Sequence, residues 1–374
     1  MPAKLSRLPR TFLGATEKIG AAISLTASLR AKDFSPIPLI AFLVFVLGRP
    51  YRGIIQDPQI YLARAVADLD PHGVGRDLIF VHDGQFGFSL FRFGAREMVA
   101  LWGPAVTGEV LAVAAAVAWF FAARALARQF AGGGAAWAVV IFAVLLPNAY
   151  GAPYPFGFAE LKAIPRPFAE ACVLAGLAAL VARRDIVCLC WLAAAGLLHP
   201  IMALAGFGVF IAVLGLEDKR WFWICTCAGG LAIFGGALGL PLMDRLFMTV
   251  DPSLRSLYES RTAYLFPSRW PIESFPPLIV QTVTIAIAAH LQQGRARRVL
   301  AATIVVGPCG IAIAAAFGDW LWSLLAVQVQ PWRTAWLMAV AGAMALGLCA
   351  VELWRRGPLG RMVLALLVLC WSFN

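Results

Sequence analysis

Residues 160–184 read ELKAIPRPFAEACVLAGLAALVARR and contain the pattern that decides the fold. Between residues 167 and 182 the run is apolar apart from Glu170, and Arg183-Arg184 closes it. A helix that crosses a bilayer needs about 20 apolar residues, or fewer where it is short or broken inside the protein. This stretch therefore predicts a transmembrane helix.

The same pattern recurs along the whole chain. The 374 residues are 61% hydrophobic and 14% charged, with a mean hydropathy of +0.79. A soluble domain of this length could not bury so much apolar surface. We predict an all-α, polytopic transmembrane helix bundle of about eleven spans, forming a single transmembrane domain over residues 1–374. The predicted spans are 35–49, 100–123, 134–150, 167–182, 186–199, 200–216, 221–242, 276–293, 299–317, 334–351 and 359–373.

The charge distribution predicts which loops lie on which side. With residues 1–33 as a cytoplasmic N-terminal segment, the inner segments hold 18 bases and 6 acids, and the rest of the chain is nearly neutral. Short cytoplasmic loops are enriched in Lys and Arg. We expect a multi-pass protein of the inner (plasma) membrane with a cytoplasmic N-terminus. The bases stand between apolar runs and form no patch, which argues against nucleic acid as a partner despite the pI of 9.6.

His199-Pro200 separates two short apolar runs, 186–199 and 200–216, that could form either a hairpin or one long kinked helix. A single helix would reverse the side of every later loop and would destroy the charge asymmetry. The sequence therefore favours the hairpin.

The predicted outer loops are the long ones. Residues 49–99 and 243–275 are rich in charged and aromatic side chains, and the inner loops are short. Any chemistry is therefore expected on the outer side. In the first loop, GIIQDPQIYLARAVADLDPHG (53–73) predicts an amphipathic helix on the membrane surface, with Asp57 as N-cap and Pro58 at the first helical position.

An acidic residue just after the first span, followed by a tyrosine and a surface helix, resembles the type-C (GT-C) membrane glycosyltransferases. Asp57, Tyr61 and Ala65 match that arrangement, although Pro58 stands where a second acid is commoner. The resemblance implies a polyprenyl-phosphate-linked sugar donor at the outer face, a cell-envelope acceptor and a catalytic role for Asp57. The segments PRPFAEA and HPIMAL also resemble a bacterial family of uncharacterised membrane proteins, which implies a shared fold rather than an activity.

Such chemistry requires a base and cations. A carboxylate accepts the proton of the acceptor hydroxyl, and arginines stabilise the charge on the departing phosphate. Asp57 fits the first role, although a simple helix cap is the alternative. Arg166, Arg333 and Arg261 are substrate-binding candidates for the second, with interface anchors or a solvated face as alternatives.

Two ionisable residues inside the predicted spans are further substrate-site candidates, because charge in a membrane is costly. Glu170 lies four residues after Arg166, which predicts a pair between them at the outer membrane edge. His199 precedes Pro200 and is either a site residue or a hydrogen-bonded core histidine. We expect no metal and no cofactor, because His72, His82 and the carboxylates near them lack ligand spacing and no nucleotide fingerprint is present.

Two other functions stay open. A transporter or flippase for an envelope lipid would show matching helix breaks in two halves, and the sequence has one break, at His199-Pro200. A non-catalytic membrane subunit of an envelope assembly complex would have the same fold without the activity. In every case the expected partners include membrane lipids and exclude nucleotides.

The predicted topology is tested by cysteine-accessibility labelling. Single cysteines at Gly73 and at Gly294, in a background without the eight natural cysteines, should react with a membrane-impermeant thiol reagent from opposite sides of the membrane. Labelling of both positions from the same side would refute the eleven-span arrangement.

Overall fold

The computed structural model describes residues 36–82, 86–153, 156–240 and 243–373. The chain divides into two units, residues 1–40 and 41–374. In the first unit the described residues are 36–40, where a helix begins at Ile37. The expected cytoplasmic segment 1–33 lies outside the described residues. The second unit contains the elements that position the candidate site.

Helices account for most of the described residues. In chain order the α-helices are α1 (Ile37–Gly48), α2 (Asp57–Leu69), α3 (Leu78–Val81), α4 (Phe91–Phe130), α5 (Ala135–Leu145), α6 (Pro165–Val181), α7 (Asp185–Leu198), α8 (Pro200–Glu217), α9 (Arg220–Ala237), α10 (Pro252–Arg261), α11 (Phe275–Leu291), α12 (Gly294–Ile313), α13 (Leu324–Val329), α14 (Ala335–Arg355) and α15 (Gly357–Ser372). A π-helix, Ala314–Trp320, follows α12. The helical prediction is correct, apart from a two-stranded antiparallel hairpin of β1 (Ala149–Tyr150) and β2 (Phe156–Gly157).

A helix lies at each of the eleven predicted spans. Five of the described stretches are long and apolar enough to cross a membrane, and these are Phe91–Phe130, Pro200–Glu217, Ile272–Leu291, Gly294–Trp320 and Leu324–Arg355. Helices α1, α5, α7 and α15 are apolar but shorter. The chain thus has the apolar helices of a membrane protein. The predicted span 134–150 is too long, because α5 ends at Leu145 and the chain then forms β1.

Helix α4 is broken near its first third. Gly103 has φ 72° and ψ 168°, far from helical values, and the following Pro104 has no N–H to donate. A continuous helix of 40 residues would be about 60 Å long, twice the hydrocarbon thickness of a bilayer. The break separates a first segment, which packs on α2, from a longer apolar segment that corresponds to the predicted span at 100–123.

Helix α2 lies against the first segment of α4. Leu62 and Ala65 of α2 are buried in an apolar cluster with Phe91, Ala95 and Val99 of α4. On the polar side of α2, an ion pair joins Arg64 to Asp68 at 2.7 Å. Two other apolar residues of α2, Ile60 and Leu69, are exposed at the surface.

The chain reverses direction at His199, as the hairpin prediction requires. His199 is extended, with φ −155° and ψ 93°, between the end of α7 and the start of α8. The two helices then pack together, because a Cβ at Gly206 would lie 2.5 Å from Leu192. Ser89 Oγ and Leu90 N donate to the carbonyls of Leu198 and Leu197, which satisfies the end of α7.

The core lies around α6 and α14. Most of both helices is buried, and small residues allow close packing of backbones. A Cβ at Gly347 of α14 would lie 2.8 Å from the Cα of Val139 in α5. In a membrane, where the hydrophobic effect does not drive helices together, such close packing holds helices in place.

Arg295 joins three chain segments at one end of α6. Its guanidinium pairs with Asp185 and Glu217, and Nη1 also donates to the carbonyl of Leu180 at 3.1 Å. Arg298 pairs with Glu217 as well. We call Asp185, Glu217, Arg295 and Arg298 the Arg295 cluster. Its members come from loops that the charge distribution assigned to one side, so this contact agrees with the predicted pairing of loops.

The Arg295 cluster should contribute strongly to stability. Arg295→Ala removes the cation of Asp185 and leaves Glu217 with Arg298 alone. Because the two carboxylates stay partly exposed, the loss should be about 1–3 kcal/mol, the value of charged hydrogen bonds. We expect a clearly lower midpoint of thermal unfolding in detergent micelles. Arg355→Ala is the control, because that arginine is exposed and lies 3.8 Å from Glu352. Equal effects of the two substitutions would contradict the assignment.

Candidate functional site

Asp57 pairs with Arg166 across 109 residues of sequence. Arg166 Nη2 donates to Asp57 Oδ2 at 2.9 Å. The Arg166 side chain is 4% exposed, whereas that of Asp57 is 40% exposed. Helix α2 begins at Asp57 itself, so its N-cap is Gln56, which makes no side-chain capping hydrogen bond. The helix-cap interpretation of Asp57 is therefore wrong, and its carboxylate is used for an ion pair instead.

Glu160 is a second carboxylate partner of Arg166, and the sequence analysis missed it. Arg166 Nη2 donates to Glu160 Oε2 at 2.6 Å, and Lys162 Nζ donates to Glu160 Oε1 at 2.9 Å. Lys162 also reaches Gln56 Oε1 at 3.2 Å, next to Asp57. Glu160 stands six residues before Arg166 in the same polar stretch, and that neighbourhood was the signal available in the sequence.

Arg333 and Arg166 both contact the aromatic ring of Phe156. The guanidinium carbon of Arg333 is 3.9 Å from the centroid of Phe156, and that of Arg166 is 4.6 Å from it. Arg333 Nε donates to Gln330 Oε1 at 2.6 Å. Arg333 is buried but has no ion pair with any carboxylate in the described residues. An unpaired buried cation is energetically costly, so this position favours a bound anion.

Aromatic residues form the wall behind the two arginines. The ring of Trp332 is fully buried and packs against Tyr150, Phe156 and Trp270. Gly151 makes this contact possible, since its φ is 74° and an added Cβ would overlap the Trp332 ring. Burial raises the pKa of the Tyr150 phenol, while the charges of Arg166 and Arg333 act in the opposite direction. The phenol therefore stays protonated and can donate.

Glu170 does not form the predicted pair with Arg166. Its Oε2 accepts the backbone N–H of Ala159 at 2.8 Å, and its Oε1 has no hydrogen-bond partner in the described residues. The charges of Arg166 and Arg49 act on this carboxylate from nearby. The four-residue spacing did not predict the partner of Arg166 correctly. Arg166 is in the first turn of α6, and two carboxylates outside this helix, Asp57 and Glu160, pair with it there.

Arg49 is a half-buried arginine next to these residues. Its Nη2 donates to the carbonyls of Ala143 and Leu146, at 3.2 and 3.4 Å, where α5 ends. Its guanidinium also lies 5.0 Å from the centroid of Phe158. A cation at the C-terminal end of a helix is favourable. Arg49 thereby fixes the start of the loop after α1 to the hairpin that holds Phe156.

The remaining candidates have different environments. His199 is buried, with Nδ1 unpaired within the described chain, and the charges of Arg333 and Arg166 act on it. Tyr61 packs edge-on against Phe86 and Phe91 in the α2–α4 cluster. Arg261 is exposed at the end of α10, and it has no described contact with the paired arginines. Of the predicted residues, Asp57, Arg166, Arg333, Glu170 and His199 thus lie together.

Backbone strain accompanies these contacts. Among the described residues, five that are not glycine have positive φ, and three of them are Gln56, Ala159 and Gln330. Gln56 precedes Asp57, Ala159 donates to Glu170, and Gln330 accepts from Arg333. Strained backbone of this kind persists where the surroundings enforce it, often at functional sites. This feature was not readable from the sequence.

Seven charged residues surround this position, and we call them the Arg166 cluster. They are four bases, Arg49, Lys162, Arg166 and Arg333, and three acids, Asp57, Glu160 and Glu170. Hydrogen-bond donors are also in excess, because Arg166 Nε and Trp332 Nε1 have no partner in the described part of the chain. No group of three or more described His, Cys, Asp or Glu side chains is arranged to hold a metal ion. The arrangement can therefore bind an anion beside a partly exposed carboxylate.

Comparisons of the chain with protein-family models, with curated proteins and with solved structures found no match. The functional argument therefore depends on the geometry of the Arg166 cluster.

The close contact at Gly151 is testable. Gly151→Ala adds backbone strain and an overlap with Trp332, and overpacking typically costs about 1–3 kcal/mol. We expect a lower thermal midpoint, followed through tryptophan fluorescence. Gly239→Ala is the matched control, since Gly239 has φ 73° and a Cβ added there would meet nothing within 4 Å. A midpoint unchanged relative to that control would show that the contact is unimportant.

Proposed function

We propose that this chain is a membrane glycosyltransferase of the GT-C type. It would take a sugar from a polyprenyl-phosphate donor at the outer face of the membrane and transfer it to a cell-envelope acceptor. One observation carries the proposal. A partly exposed carboxylate, Asp57, pairs with the buried guanidinium of Arg166, and a second buried guanidinium, Arg333, contacts the same Phe156 ring without a carboxylate partner among the described residues. A base and an anion site are thereby adjacent.

The proposed reaction uses these groups in one displacement. The acceptor hydroxyl attacks the anomeric carbon and gives its proton to Asp57. The bond between that carbon and the phosphate oxygen breaks, and the electron pair leaves with the phosphate. Arg333 and Arg166 stabilise the negative charge that grows on the phosphate. Apolar helices supply the setting for a lipid donor, because a polyprenyl chain requires a membrane.

The position of the site along α6 also supports the proposal. Arg166 is in the first turn of α6, and Leu180, at the other end, contacts Arg295. Fourteen residues of helix correspond to about 21 Å, so the two clusters lie near opposite ends of the bundle. Under the charge rule the Arg166 cluster belongs to the outer side, where a lipid phosphate is at headgroup depth.

A transporter or flippase for an envelope lipid is the second candidate. Its specific support is the break at Gly103-Pro104, which adds a second interrupted helix to the one at His199-Pro200. Broken helices that meet at a substrate site are typical of transporters. Movement of a labelled polyprenyl phosphate across proteoliposomes, without sugar transfer, would favour this function over the transferase.

The transferase proposal is tested with substitutions in membranes supplied with a radiolabelled polyprenyl-phosphate sugar. Asp57→Asn should abolish transfer, because the amide cannot accept the proton. Arg333→Ala should weaken donor binding by about 1–3 kcal/mol, the value of a charged hydrogen bond. Asp68→Asn and Arg261→Ala are the matched controls and should retain activity. Wild-type transfer by Asp57→Asn would rule out Asp57 as the base, whereas absence of transfer by the unaltered chain would favour a non-catalytic subunit.

A further inference from the structure

The two groups that the proposed reaction requires are bonded to each other. Arg166 Nη2, assigned to the phosphate, donates to Oδ2 of Asp57, assigned as the base. The Asp57 oxygen that accepts from Arg166 is occupied by that hydrogen bond and is not free to accept the proton of a substrate hydroxyl. Arg166 Nη2 already donates to two carboxylates, so this nitrogen is not available to an anion. The described state is therefore a resting state for this chemistry.

The two carboxylates on Arg166 are not equivalent. Glu160 lies closer to Nη2 than Asp57 does, at 2.6 against 2.9 Å, and its side chain is 13% exposed against 40%. Glu160 is also held by Lys162. Arg166 is the one ion-pair partner of Asp57 among the described residues. Asp57 is thus the partner that can leave with less cost.

A second buried cation, Arg333, is near enough to Arg166 for the two charges to interact. Arg333 lies on the same Phe156 ring, is buried, and pairs with no described carboxylate. The guanidinium groups present planar sets of N–H donors, which match phosphate oxygens well. The exchange would replace one carboxylate on Arg166 by a phosphate that Arg333 also binds.

We propose that a phosphate group displaces Asp57 from Arg166 while Glu160 keeps Arg166 in position. This inference rests on the proposed function and assigns Glu160 as a positioning residue. Only hydrogen bonds and ion pairs are exchanged, and no covalent bond changes. Asp57 becomes an effective base when the phosphate of the donor is bound, so that base activation depends on donor binding.

The exchange is tested by binding of farnesyl phosphate to the purified full chain in detergent, measured by titration calorimetry. Asp57→Asn removes the competing carboxylate, and a charged hydrogen bond corresponds to about tenfold or more in affinity, so this variant should bind more tightly than wild type. Asp68→Asn is the matched control, because Asp68 lies on the same helix as Asp57 and also pairs with arginines, Arg64 and Arg92. It should leave the affinity unchanged.

A double-mutant cycle locates the effect. The gain from Asp57→Asn should disappear in an Arg166→Ala background and persist in an Arg333→Gln background. A gain of the same size without Arg166 would contradict the exchange, since it would then be a general charge effect. An unchanged or weaker affinity of Asp57→Asn would also overturn it.

Glu160 gives a test whose sign is informative. Removal of a negative charge alone would strengthen phosphate binding, but loss of a positioning residue should weaken it. We expect Glu160→Ala to bind farnesyl phosphate less tightly, and Glu160→Gln, whose amide oxygen still accepts from Arg166, to restore binding. Tighter binding by Glu160→Ala would contradict the positioning role.

Two further probes identify the ligand. Farnesyl phosphate that binds more tightly than inorganic phosphate assigns the site to a lipid phosphate, and equal affinities assign it to a free phosphate. Either result supports the exchange. If farnesol, which has no phosphate, also binds more tightly to Asp57→Asn than to wild type, the exchange is contradicted. If the exchange holds but no polyprenyl-phosphate sugar gives transfer, the proposed function is wrong and the phosphate site stands.

Discussion

The burial of the Arg166 guanidinium is the constraint on which this region depends. A charge removed from water is tolerated only when other groups pair with it, and three separate segments provide these groups. Asp57 comes from α2, Glu160 from the loop before α6, and Phe156 from the hairpin. Because the Arg166 side chain contacts all three segments, the first long loop is held against the start of α6. The strained backbone at Gln56 and Ala159 is consistent with segments drawn to a common centre.

The two ionic clusters differ in a way that bears on function. In the Arg295 cluster the buried arginine is paired with two carboxylates, Asp185 and Glu217, as expected for a structural ion pair. In the Arg166 cluster a second buried arginine, Arg333, has an amide and an aromatic ring but no described carboxylate. Compensated charge at one end of α6 and uncompensated charge at the other is the expected difference between a structural cluster and a ligand site.

The sequence predicted the helices well because apolar length and flanking bases are local signals. The reversal at His199 could also be predicted, because a single continuous helix there would put every later basic loop on the other side of the membrane and destroy the charge asymmetry. The site was predicted in part. Arg166 and Arg333 were recognisable as arginines beside prolines at span ends, but Glu160 and Phe156 were not, because their partners are set by tertiary packing. The predicted pair of Glu170 with Arg166 is absent for the same reason. The four-residue spacing contains no information about carboxylates from other segments, and one of these, Glu160, pairs with Arg166 instead.

The central claim is that Arg166 and Arg333 bind a phosphate group that takes the place of Asp57. The most direct test is a cryo-electron microscopy map of the protein in lipid nanodiscs with undecaprenyl phosphate. The account predicts phosphate density in contact with both guanidinium groups beside Phe156, with Asp57 separated from Arg166 and Glu160 still bound to it. An intact Asp57–Arg166 pair in a map that places the lipid phosphate elsewhere would contradict the account.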